Sequence, residues 1–98
     1  MRVAARIDDN HKIIVHNLRQ CGYSVLSLAA VGKGCPDILV GAAGKNLLME
    51  IKDGSKSPSR RKLTPEQRTF FSSWAGQAVV VTCLSEALDA VKEAVACG

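Results

Sequence analysis

Two carboxylates and an amine stand out near the middle of the chain. Asp37 follows Pro36, and Glu50 and Lys52 flank Ile51. Their neighbours are mostly apolar: Ile38-Leu39-Val40 after the first acid, Leu47-Leu48-Met49 before the second. The two apolar runs, residues 37–41 and 46–52, flank Ala42-Ala43-Gly44-Lys45 and read as a β-hairpin. If the turn centres between Ala43 and Gly44, facing residue numbers sum to 87. A two-residue loop then sets Ala42 opposite Lys45, and a four-residue loop sets Gly41 opposite Asn46. Either register sets Asp37 opposite Glu50, with Cβ atoms about 5 Å apart. Lys52 lies two positions beyond Glu50, so strand alternation puts it on the same face.

Burying three such groups without partners is costly. Two adjacent carboxylates repel unless a proton or a cation sits between them. Hard oxygen ligands with water retained suit Mg²⁺ or Mn²⁺. Such a cation acidifies water, holds a phosphate oxygen and offsets charge on a leaving group. An ammonium beside it orients the attacking water and balances charge developing on phosphorus. Taken alone, Glu50 and Lys52 read better as an ordinary surface ion pair; Asp37 facing them across an apolar hairpin shifts the reading to a functional set.

The surrounding elements follow from periodicity and punctuation. Residues 8–21 carry Ile14, Leu18 and Cys21 at helical spacing, widened by Ile13 and Val15, with Asp8 or Asp9 as cap and Gly22 as stop. Residues 23–31 read as a strand and residues 32–36 as a tight loop. Residues 53–62 are polar, hold Gly54 and Pro58, and read as a loop. Thr64, Pro65 and Gln67 form a capping box that starts a second helix, with Phe70, Phe71 and Trp74 on its apolar face and Gly76 as its stop. The three aromatics read as core. Residues 78–83 read as a buried strand, and Ser85 as the cap of a last helix bearing Leu88, Val91 and Val95. The order is α-β-β-β-α-β-α, an α/β fold with a mixed sheet of about four strands and helices on both faces. At 98 residues, the whole chain is expected to form one domain.

Gly34-Cys35-Pro36-Asp37, twelve intervening residues and Glu50-Ile51-Lys52 resemble the PD-(D/E)xK nuclease signature. Leu63-Thr64-Pro65-Glu66-Gln67 is similar to the segment that follows in the VRR-NUC branch, and the similarity spans roughly residues 18–91. The resemblance implies a restriction-endonuclease-like fold and a phosphodiesterase that hydrolyses DNA with Mg²⁺ or Mn²⁺. Asp37, Glu50 and the Ile51 carbonyl would be metal ligands. Lys52 would contact the attacked phosphate and the water. Gln67 would support the site, a role compatible with capping. Stand-alone members resemble Holliday-junction resolvases and act as homodimers, which implies branched DNA and a second copy as partners. The chain departs from the wider superfamily in lacking a Glu within the first helix. Asp8, Asp9 and Asn10 near its start are the available substitutes, with helix capping the ordinary role of Asp9.

Charge agrees with a polyanionic partner. Between Lys33 and Arg68 eight bases meet four acids, which accounts for the whole net charge of +4. Lys33, Lys56, Arg60, Arg61, Lys62 and Arg68 are the candidate phosphate contacts, which position DNA without reading its sequence. No recognition helix, zinc finger or stacking platform is signalled. His11 and His16, five apart, lack the spacing of a metal pair. Cys21, Cys35, Cys83 and Cys97 form no CxxC pair and read as small, mostly buried hydrophobes, with Cys97 a candidate exposed thiol. No apolar run reaches the ~20 residues of a membrane span and the N-terminus makes a poor signal peptide, so a cytoplasmic location is expected. Two other classes remain: a nuclease-like DNA-binding module without cleavage, and an interaction domain with no nucleic-acid role.

Overall fold

The computed structural model of the chain describes residues 9–97. Its elements are α1 (Asp9–Gln20), β1 (Ser24–Ser27), β2 (Ile38–Ala42), β3 (Lys45–Ile51), α2 (Pro65–Ser73), β4 (Ala78–Val81) and α3 (Leu84–Ala96). The sheet runs β1-β2-β3-β4. The first three strands are antiparallel, and β4 joins β3 in parallel after the crossover through α2.

The central hairpin has the two-residue loop. Ala42 pairs with Lys45 and Ile38 with Met49, so every facing pair sums to 87. Ala43 and Gly44 both take positive φ, 51° and 79°. Two left-handed residues in succession make the turn whose twist matches that of the strands.

Alternation then sorts the hairpin into two faces. Ile38, Val40, Leu47, Met49 and Ile51 are buried on one face, against Ile14 and Leu18 of α1 and Ala87, Val91 and Ala94 of α3. Small residues at 87 and 94 let α3 lie close to the sheet. The other face carries Asp37, Leu39, Leu48, Glu50 and Lys52, and α2 covers it.

Several sequence expectations need correction. The first strand ends at Ser27, because Val31 N–H turns back to the Leu28 carbonyl at 3.0 Å. Cys21 lies outside α1, whose end is closed by Gly22 (φ +90°) with Tyr23 N–H on the Leu18 carbonyl, and Ile13 is exposed. The polar stretch after β3 is not all loop: Pro58–Arg61 form one 3-10 turn, started by the fixed φ of Pro58. Residue 83, not Ser85, is the N-cap of α3, and Glu86 reaches back to accept the Thr82 N–H at 2.7 Å. Helix α2 ends at Ser73 with Trp74 as its C-cap, before Gly76. Phe70, Phe71 and Trp74 are not core: the phenyl rings are half-buried and Trp74 is 48% exposed. The face they lie on has only one short helix to cover it. The cysteines are exposed (Cys21, Cys97) or half-buried (Cys35, Cys83), and all are free. Asp8 lies outside the described residues. Among those residues no helix is long and apolar enough to cross a membrane.

The placement of α2 depends on Gly34. Its φ is +80°, and a Cβ there would fall 2.6 Å from the Glu66 carbonyl carbon and 2.9 Å from the Gln67 nitrogen. Gly32 has a similar φ of +71° but open space around it. Gly34→Ala should therefore destabilise by roughly 2 kcal/mol or more, through backbone strain and displacement of α2, and Gly32→Ala by about 1 kcal/mol, through strain alone. Denaturation midpoints of the two variants check this; equal losses would mean that the close approach to α2 carries no weight.

Candidate active site

Asp37 sits where the β2–β3 ladder runs out. Continuing the register, the next residue to face Ile51 is Pro36, which has no N–H to give. The Asp37 carboxylate fills that gap: its Oδ2 accepts the Ile51 N–H at 2.7 Å. The Ile51 carbonyl points to the same side as its N–H. Pro36 leaves it without a ladder donor, beside the Asp37 carboxylate.

Glu50 is 3% exposed, the single buried charged residue among those described. Its Oε2 accepts from Gln67 Nε2 at 3.1 Å and lies 3.5 Å from Lys52 Nζ. Its Oε1 is buried with no hydrogen-bond partner. Burial, and next the charge of Asp37, push the Glu50 carboxyl up to about 7, against the opposing pull of Lys52. The half-buried Cys35 thiol is pushed up too, by burial first and then by the charges of Glu50 and Asp37.

Gln67 joins the set through one amide. Its Oε1 accepts from Lys52 Nζ at 2.9 Å and from Thr64 N–H at 2.9 Å, while its Nε2 donates to Glu50. The Thr64 hydroxyl accepts the Gln67 N–H at 3.2 Å and completes the capping box. Capping fixes the side chain that bridges the acid and the amine, so the two roles expected of Gln67 are one.

Asn10 is a site residue whose role was not anticipated. It was a candidate substitute for an absent acidic ligand. Its Nδ2 instead donates to the Lys52 carbonyl at 2.8 Å and to the Thr82 carbonyl at 3.2 Å. Together with the Lys52 N–H on the Val81 carbonyl (2.9 Å), this pins the backbone just past β3 from which the lysine projects. Asp9 is exposed at the start of α1, with no bond to the set.

The residues present fit a hard divalent cation. Two carboxylates face each other, one oxygen of Glu50 is buried and unpartnered, and a backbone carbonyl without a ladder donor lies alongside. Among the described residues no group of three or more His, Cys, Asp or Glu side chains could hold a metal.

The basic residues expected around the site sit on segments that end there. Lys56, Arg60, Arg61 and Lys62 lie on the connection from Lys52 to Thr64, both ends of which are tied to Gln67. Lys56, Arg60 and Lys62 are exposed, and Arg61 is half-buried with its Nε unpartnered. Arg68 is exposed and spends one nitrogen on the Leu63 carbonyl at 3.3 Å. Lys33 is exposed on the turn that packs against α2. Comparison with protein-family models, curated proteins and solved structures gives no match.

The raised Glu50 carboxyl makes stability depend on pH. Between about 4.5 and about 7 the folded state holds a proton that the unfolded state has lost. Stability without metal therefore falls as pH rises through that window. Urea midpoints at pH 5 and pH 8 in EDTA should drop more for the wild type than for Glu50→Gln, which has nothing to titrate there. An equal drop would mean that Glu50 ionises normally in the fold.

Proposed function

We propose that the chain is a divalent-metal-dependent nuclease acting on DNA, with Asp37, Glu50 and Lys52 as its reactive centre. One observation carries the reading: a buried carboxylate with an unpartnered oxygen faces a second carboxylate, with an ammonium within 3.5 Å. A structural ion pair has no use for the second acid. Asp37, Glu50 and the Ile51 carbonyl would hold Mg²⁺ or Mn²⁺, which would supply a Lewis acid for the water and the leaving oxygen.

The chain's own groups do the rest. The Lys52 ammonium, held by Gln67 and by its tethered backbone, meets the negative charge of the phosphate and orients the attacking water. Gln67 keeps that ammonium and Glu50 at fixed separation. The bases on the 53–62 connection, with Lys33 and Arg68, neutralise flanking phosphates. The resemblance to the VRR-NUC branch supports branched DNA as substrate, a homodimer as working form and the cytoplasm of a bacterial or phage-infected cell as setting. A binding module without cleavage is the second reading, favoured by the small number of acidic donors.

Asp37→Ala and Glu50→Ala should bring Mg²⁺-dependent cleavage of labelled junction, flap and duplex DNA to background while binding persists. Lys52→Ala should slow cleavage on the order of 10²- to 10³-fold. Cleavage that survives EDTA, or full activity in Lys52→Ala, would contradict the mechanism. Salt-sensitive binding with no cleavage on any substrate would establish the second reading.

A further inference from the structure

The aromatic residues of α2 belong neither to the core nor to the site. Phe70 and Trp74 stack nearly parallel, with centroids 5.2 Å apart and 14° between the planes. Phe71 packs edge-on against Phe70 at 6.0 Å. The indole is held on a second side by Gly76, where a Cβ would lie 2.9 Å from the Trp74 Nε1. Trp74 is nevertheless 48% exposed. Beside Phe70 runs a groove lined also by Lys33, Glu66, Thr69 and Ser73.

Glu66, which lines this groove, adjoins Gln67 in α2. Lys33 precedes Gly34, whose backbone lies against Gln67. Phe70 and Trp74 follow Gln67 by three and seven residues, about 4.5 and 10 Å along the helix, the span of one to three nucleotides of a stacked strand. A fixed aromatic pair beside a lysine fits a nucleotide: a base for the ring and a phosphate for the ammonium. Bases inside a duplex are already stacked on both faces, so only an unpaired base has a face to offer.

We infer that the Phe70–Trp74 pair stacks an unpaired DNA base flanking the scissile phosphate, and that the substrate carries a single-stranded element next to the cut. The assignment rests on the nuclease reading, because the phosphate at Lys52 fixes which base reaches the aromatics. It makes a flap, tail or open branch point a better substrate than a fully paired duplex.

The chain has a single tryptophan, so indole fluorescence reports on this position alone. The wild-type protein in EDTA is titrated with oligothymidylate of about ten nucleotides, a duplex bearing such a tail, and the blunt duplex, with anisotropy of labelled DNA followed in parallel. Saturable quenching by the first two and little by the third is expected. Trp74→Ala should narrow the preference for tailed over blunt DNA by roughly tenfold. Equal quenching by blunt duplex, or binding without quenching, would overturn the inference. So would emission that shifts with protein concentration alone, which would assign the face to a second copy. Cleavage in Mg²⁺ is scored separately. Quenching without cleavage removes the nuclease reading and supports stacking alone, and cleavage without quenching does the reverse.

Discussion

A buried glutamate opposite an aspartate is the constraint around which this small protein is arranged. Burial raises the cost of a carboxylate's charge, and a like charge opposite raises it again. A domain of this size has little stability to spare. Glu50 nevertheless sits in the middle of the sheet with one oxygen satisfied by Gln67 and the other by nothing. An apolar residue at position 50 would serve packing better. The arrangement is coherent if a cation completes it, and the local structure is consistent with that demand. Pro36 ends the ladder so that Asp37 and the Ile51 carbonyl converge, and Gly34 lets α2 come close enough for Gln67 to reach in.

The two faces of the sheet divide the labour. On one side α1 and α3 close over an aliphatic layer that holds the hairpin rigid. On the other, one short helix covers the ionisable groups only in part and leaves its aromatics exposed. A reactive centre built on strands and backed by a packed layer is held more firmly than one on loops. The basic residues other than Arg68, by contrast, ride on connections, where attraction to a phosphate would tolerate imprecision.

The hairpin was legible in the sequence because three signals agreed. Alternation fixes the faces, the Ala-Gly pair marks the turn, and the resulting register brings Asp37, Glu50 and Lys52 together. The capping box was legible for the same reason: Thr64, Pro65 and Gln67 have fixed local spacing. Asn10 was not, since its partners are backbone carbonyls at Lys52 and Thr82, far along the chain, and no periodicity encodes such a bond. The exposure of Trp74 was equally hidden. Helical spacing says that residues 70, 71 and 74 share a face, but not whether anything covers it. The N-cap of α3 lies two residues before the serine that local spacing points to, at Cys83, which makes no side-chain cap bond, and Glu86 accepts from the Thr82 N–H just outside the helix.

The charge pattern and the site geometry are independent observations that favour the same class of ligand. On the proposed reading, net positive charge confined to the middle of the chain would draw a polyanion near, and the carboxylate pair with its ammonium would act on it. Either alone is commonplace in soluble proteins. Their coincidence in one stretch of chain, around a glutamine that touches both acid and amine, gives the nuclease reading its weight.

The claim beneath all of this is that Asp37 and Glu50 share a divalent cation, and calorimetric titration of the DNA-free protein with Mn²⁺ at pH 6.5 tests it most directly. The account predicts saturable binding, release of protons measurable by comparing two buffers, and loss of both signals in Asp37→Ala. Heat that is unchanged in that variant, or no binding at millimolar Mn²⁺, would contradict it.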